Sequence, residues 1–227
     1  MSLPPLHILV GDEQAVRPDF PEVADELLDA WGADLALHLR LRQAAGARLF
    51  ELASRFTAAA ERTGGWCVVN DRLDVALAAG AQAVQLGRTA LPVAAAREVI
   101  ETCAGKGGPS PTGPALGASV HGEEEARSAA ADGANYLVLG TIFASRTHPG
   151  VTPHGIAIVE RCCAVGLPVI AIGGMNAARA PEVRRAGAAG LAVVRAVWDA
   201  GEPREAAGRL IRAWKERPVQ AANPEVE

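Results

Sequence analysis

The chain has 227 residues, 21% charged and 49% hydrophobic, and its 22 basic against 26 acidic side chains leave a formal net charge of −4. That composition excludes disordered, collagen-like and disulfide-stapled classes. With no long run of basic residues it also lacks the electrostatic footprint for duplex nucleic acid or an anionic membrane.

No apolar stretch approaches the ~18 residues of a membrane span, and the start MSLPPLHILVGDE lacks the basic flank and long apolar segment of a secretory leader, so a soluble, cytoplasmic protein is expected. From the first residue on, short apolar runs bounded by Gly, Pro, Asn or Asp alternate with Ala/Leu/Arg/Glu segments of helical spacing. The predicted strands are Leu6 to Val10, Leu35 to Leu41, Trp66 to Asn70, Ala83 to Leu86, Leu116 to Val120, Tyr136 to Gly140, Pro168 to Ile172 and Gly190 to Val194. Predicted helices follow them at Phe20 to Trp31, Ala44 to Arg62, Arg72 to Ala79, Pro92 to Cys103, Glu123 to Asp132, Gly155 to Val165, Ala177 to Ala186 and Pro203 to Lys215. Eight alternations in one domain, residues 1–217, predict an α/β fold of the closed (β/α)8 (TIM) barrel type, and residues 218–227 read as a flexible polar tail. Gly105 to Gly113 reads as a loop, and Ala144 to His154, rich in loop formers, as a lid over the active face. The cysteines Cys67, Cys103, Cys162 and Cys163 have no CxxC spacing and read as small reduced apolar residues.

In the second strand Leu35, Leu37, Leu39 and Leu41 alternate with Ala36, His38, Arg40 and Arg42. A barrel strand packs its outer face on helices, so the leucines are expected outside and His38, Arg40 and Arg42 toward the axis, the arginines near the mouth. Guanidinium groups there need anions. The alternative is a one-residue slip that solvates them and exposes the leucines. In the fifth strand Gly117, Ser119 and His121 share the inner parity, which puts a proton-exchanging imidazole at the mouth; the competing reading is a helix-cap histidine ahead of Glu123 to Glu125. Asn70-Asp71 at the end of strand three is either an N-cap pair or a polar ligand contact. Gly173 and Gly174 after strand seven, with Val194 and Arg195 after strand eight, stand where barrels bind phosphate, although Gly-Gly alone also serves ordinary turns and Arg195 could face solvent. His148 and His154 match no standard metal-ligand spacing, so no metal site is expected. The tryptophans read as packing residues.

The stretches NDRLDVALAAGAQAVQLG, GASVHGEEEARSAAADGANYLVLGTIF, and PVIAIGGMN followed by GAAGLAVVRAV resemble the thiamine phosphate synthase superfamily, from Leu6 to about Trp198. The resemblance implies a barrel of thiamine biosynthesis, in one of two branches. The synthase branch joins hydroxymethylpyrimidine diphosphate to thiazole phosphate with magnesium. The thiazole tautomerase branch aromatises a thiazole carboxylate phosphate without a metal. A synthase would carry Gln-x-Arg-x-Lys in strand two, an aspartate in HLGQxDLP and Thr-x-Thr-Lys after strand six. This chain reads HLRLR, QLGRTALP with Ala90, and Ser145-Arg146-Thr147-His148. The resemblance therefore implies a tautomerase, an isomerase without a cofactor. His121 would be its catalytic acid/base; His38, Arg40, Arg42, Asn70, Ser119, Ser145 and Thr147 would meet substrate; Gly173, Gly174, Val194 and Arg195 would hold phosphate. The synthase, with magnesium near Asp71, is the alternative, and a non-catalytic precursor-binding regulator a second one. The expected partner is a small thiazole phosphate, and a homodimer stays open.

Overall fold

The period-two alternation of the sequence becomes the inside and outside of a closed sheet. The computed structural model describes residues 3–103, 113–145, 150 and 152–216. Its strands are β1 (Leu6–Gly11), β2 (Leu35–Arg40), β3 (Trp66–Asn70), β4 (Ala83–Leu86), β5 (Ala115–Val120), β6 (Tyr136–Leu139), β7 (Val169–Ile172) and β8 (Gly190–Val193), all parallel and paired in chain order. The register Leu6↔Leu35 on one side and Leu6↔Leu191 on the other makes β1 the closing strand. The helices are α1 (Asp12–Ala15), α2 (Phe20–Trp31), α3 (Gly46–Thr63), α4 (Leu73–Ala79), α5 (Val93–Cys103), α6 (Glu123–Ala131), α7 (Ala157–Cys163), α8 (Ala180–Arg185), α9 (Arg195–Trp198) and α10 (Pro203–Lys215).

Leu35, Leu37 and Leu39 are fully buried in the shell between barrel and helices, as are Ile8 and Val10 of β1. Burying each leucine is worth roughly 1.5–3 kcal/mol, so a one-residue slip of β2 would forfeit several times that, and the slip is not taken. α3 supplies the matching face with Leu49, Leu52, Ala53, Phe56 and Ala60 at helical spacing, and stops at Gly64, whose φ of 78° is left-handed. α2 presents Phe20, Ala24, Leu27 and Leu28 in the same way. A second, inner cluster of Ala36, Trp66, Val68, Ala83, Tyr136, Val138, Ile170 and Ala192 fills the barrel itself. Small residues make room there for the large ones: a Cβ on Gly117 would overlap Gln85 Oε1 and the Tyr136 ring.

Two boundaries differ from expectation in ways that matter. β2 ends at Arg40, one residue early, and β8 ends at Val193, because Val194 turns to start the short helix α9. Of the loop Gly105 to Gly113 only Gly113 falls within the described residues; the tail 218–227 falls outside them, as do 146–149 and 151 of the expected lid. Among the described residues no helix is long and apolar enough to cross a membrane.

Candidate active site

Parallel strands end together, so every inward residue at a C-terminal strand end lies on one rim. Beneath that rim the inner parity carries polar residues instead of apolar ones. Leu9 of β1 is level with His38 of β2, and Gly11 with Arg40. Asn70 of β3 is level with Gln85 of β4, and Gln85 with Gly117 of β5. His7 and His38 are buried, their rings 5.0 Å apart, with His7 Nδ1 2.8 Å from His38 Nε2. His7 Nε2 lies 3.0 Å from the Pro4 carbonyl oxygen and His38 Nδ1 3.2 Å from Asn70 Oδ1. Burial drives both imidazoles toward the neutral form: His7 falls well below its ordinary value and His38 to about 4. Beside them Gln85 Nε2 donates to Ser119 Oγ at 3.0 Å.

Arg40 sits half-buried at the rim, its guanidinium pKa lowered first by desolvation and then by Arg42, with Asp71 and Asp12 partly offsetting both. Arg42 departs from expectation. Because β2 stops at Arg40, Arg42 lies beyond the strand on an exposed turn, and its backbone N–H donates to Asp12 Oδ2 at 3.2 Å while Gln43 N–H donates to Oδ1 at 3.1 Å. The strand parity that aims His38 and Arg40 inward therefore does not extend to Arg42. Asp71 adopts a left-handed φ of 64° and accepts the Gly87 N–H on Oδ1 at 2.8 Å, tying the ends of β3 and β4 together. Asn70-Asp71 is thus neither a helix N-cap nor a loose loop: α4 starts only at Leu73, with Arg72 before it.

Across the rim, Gly173 and Gly174 have φ of 105° and 63°, and a Cβ on either would press on Thr141–Ile142 or on Phe143–Ala144. Only glycine fits both conformations. Arg179 braces this turn: one guanidinium nitrogen donates to the Gly174 carbonyl, and the group stacks 4.4 Å from the Phe143 ring. Val194 and the half-buried Arg195 open α9, whose first N–H groups have no helical partner. Ser145 is half-buried and Thr147 lies outside the described residues. His121, one residue past β5, is 43% exposed; Glu125 Oε2, from the first turn of α6, accepts its backbone N–H at 2.8 Å and lies 3.2 Å from Nδ1. His148 lies outside the described residues, and among those described no three His, Cys, Asp or Glu side chains gather to hold a metal.

The structure therefore brings together His38, Arg40, Asn70 and Ser119 on strands two to five, and gathers Gly173, Gly174, Val194 and Arg195 after strands seven and eight. His7, Gln85, Tyr136 and Arg179 are absent from the expectations drawn from the sequence. Parity marks the first three: His7 and Gln85 are polar residues at inner positions of otherwise apolar strands, and Tyr136 opens its strand opposite Gly117. Nothing local marks Arg179, which is placed by the tertiary approach of two loops.

The chain matches the family described as thiamine monophosphate synthase over residues 7–197. It is 39% identical over 213 residues to a thiamine-phosphate synthase of Mycobacterium sp. (strain KMS), covering 89% of each chain, and 35% identical over 217 residues to one of Salinispora arenicola (strain CNS-205), covering 93% of this chain and 98% of that one. Among solved structures it resembles a thiamine phosphate pyrophosphorylase from Pyrococcus furiosus, with a TM-score of 0.78 and 30% identity, covering 92% of this chain and 95% of that one. These names overturn the expectation of a thiazole tautomerase. Relatives so similar over almost the whole length carry the synthase name, so HLRLR, Ala90 and Ser145 to His148 do not by themselves mark an isomerase, and the ring-proton role expected of His121 falls with it.

Proposed function

The chain belongs to the thiamine monophosphate synthase family, and from that premise we propose that it is a transferase joining hydroxymethylpyrimidine diphosphate to thiazole phosphate. In this reaction the methylene C–O bond breaks, diphosphate leaves with the electron pair, and the lone pair of the thiazole nitrogen bonds to the methylene carbon. No side chain has to carry a proton between atoms. The chemistry instead asks for two anchored anions and a stabilised leaving group.

What supports the reading is that two groups of residues suited to anions stand in different sectors of one rim. Arg40, half-buried and without a hydrogen bond to a described residue, suits the leaving diphosphate, with Arg42 adding charge from its exposed turn. The glycine turn after β7 and the first turn of α9 suit the monophosphate of the thiazole, with Arg195 beside them. Between these groups, Asn70 and Ser119 line the place for the pyrimidine. The reactive carbon then lies between two fixed phosphates.

Magnesium is implied by the family. The donor set here does not fit an ion held by protein carboxylates. Asp71 commits Oδ1 to Gly87, Asp12 commits both oxygens to the Arg42 and Gln43 amides, and Ala90 supplies no oxygen from its side chain. The charge of the leaving group therefore falls on guanidinium groups. The test is to incubate the purified chain with both substrates, with and without magnesium, and to measure thiamine phosphate and diphosphate in equal amounts. Failure to form either product under both conditions refutes the reading.

A further inference from the structure

A backbone turn attracts an anion only through its N–H groups, and a pair of glycines is free enough to present its carbonyl oxygens instead. In the turn after β7 the direction is imposed from outside. Phe143 N–H donates to Gly173 O at 3.1 Å, one step beyond the bond from Ile142 N–H to Ile172 O at 3.0 Å. The Gly174 carbonyl accepts from the Arg179 guanidinium. A Cβ on Gly174 would meet Arg179 Nη1, Phe143 Cβ and Ala144 O together, so the guanidinium and the loop after β6 share one side of the turn. The peptides that follow Gly173 and Gly174 are trans, and in a trans peptide the N–H points opposite to the carbonyl. With both carbonyls held on the β6 side, the N–H groups of Gly174 and Met175 face the other way, toward the sector of β8, where Val194 and Arg195 stand. Neither N–H has a hydrogen-bond partner among the described residues.

Arg179 is itself held at two points. Its backbone N–H donates to Asn176 Oδ1 at 3.0 Å, and its guanidinium stacks 4.4 Å from the centroid of the Phe143 ring. To reach an anion on the N–H side it would have to leave both the carbonyl and the ring. A cation bonded to a carbonyl also polarises that peptide and strengthens its N–H as a donor. We propose that Arg179 is a positioning residue that fixes the Gly174–Met175 peptide with its N–H presented to the thiazole monophosphate, without touching the phosphate itself. The identity of that phosphate rests on the synthase reading; the direction of the turn does not. Phe143 N–H aims the Gly174 N–H independently, so Arg179 governs one donor of the two. Without the guanidinium the Gly174–Met175 peptide is free to rotate and turn a carbonyl oxygen toward the anion.

The test titrates the 15N-labelled full chain with inorganic phosphate. In the native chain phosphate should shift the amide signals of Gly174 and Met175 and barely move the Arg179 side-chain nitrogens. A guanidinium that responds as strongly as these amides makes Arg179 a ligand and overturns the proposal, as does a turn that does not respond at all. Arg179→Met keeps an apolar stem on Phe143 and removes the donor: the Met175 amide should lose most of its response while the Gly174 amide keeps its own, and an unchanged Met175 response also overturns the proposal. In steady-state kinetics Arg179→Met should raise KM for thiazole phosphate about 10- to 150-fold, the worth of one hydrogen bond to a charged group, with KM for the pyrimidine diphosphate and kcat nearly unchanged. Arg179→Lys, which restores a cationic donor, should recover part of that loss. An equal rise in both KM values would mean a merely structural role and defeat the positioning claim. If Arg179→Met does not fold, the native titration and Arg179→Lys decide. Absence of any product from the native chain would defeat the synthase reading and leave the phosphate titration to decide the role of Arg179 alone.

Discussion

Arg40 illustrates how the role proposed for a single residue can run against stability. Its charge is half-buried and desolvated, with only Asp71 and Asp12 in partial compensation and Arg42 opposing. Arg40→Met should therefore leave the denaturant midpoint unchanged or slightly raised, while kcat/KM for the diphosphate substrate falls about 10- to 150-fold, as expected for one charge-assisted hydrogen bond. Steady-state kinetics and urea melts on the same variant check both halves. The histidine pair gives a pH prediction. His38 titrates at about 4 in the fold, against the ordinary value of 6.5 in the unfolded chain, and His7 is lowered in the same direction. Between these values the unfolded chain takes up protons that the native one refuses. Stability is then full above pH ~6.5 and declines toward pH ~4, by about 1.4 kcal/mol per pH unit for each such histidine. Urea midpoints measured from pH 7 to 4 should show this slope, and His7→Phe should make it shallower. His38 is legible in HLRLR because parity decides which face it takes. Arg42 is not, because Asp12, 30 residues earlier, accepts the backbone N–H groups of Arg42 and Gln43 just past the end of β2.

At the scale of elements, helix α10 shows local preference and packing in conflict. Gly208 sits in mid-helix, where alanine is intrinsically better by roughly 0.5–1 kcal/mol. A Cβ there would strike the indole ring of Trp31 in α2, whose Nε1 donates to Arg204 O at 3.1 Å. Overpacking typically costs about 1–3 kcal/mol, so the contact outweighs the propensity. Gly208→Ala should lower the thermal midpoint, and Gly208→Ala combined with Trp31→Leu should recover most of the loss. The strands and the long helices α2 and α3 are readable from apolar spacing alone, because each buries one face against the barrel. The four-residue helices α1 and α9 are not, since so short a turn has no periodicity to read and forms only where the preceding strand delivers it.

For the whole molecule, net charge and function point in opposite directions. A chain of −4 repels polyanions at long range, yet Arg40, Arg42 and Arg195 crowd the rim where the proposed substrates bind. Raising ionic strength from about 0.1 M to about 1 M shortens the screening length from about 10 Å to about 3 Å. For the diphosphate substrate, kcat/KM should therefore fall several-fold while kcat changes little; a flat salt response would show that the rim charges do not guide binding. The barrel, its order of strands, the inward face of β2 and the glycine turn after β7 follow from the sequence alone, since alternation of apolar residues and the conformational freedom of glycine are local properties. The contacts of His7 with His38 and of His38 with Asn70 follow only from tertiary structure, as do the bracing by Arg179 and the commitment of Asp71 and Asp12 to backbone amides. Most of these contacts join residues far apart in the chain, and closing the barrel is what brings their polar atoms within hydrogen-bond reach.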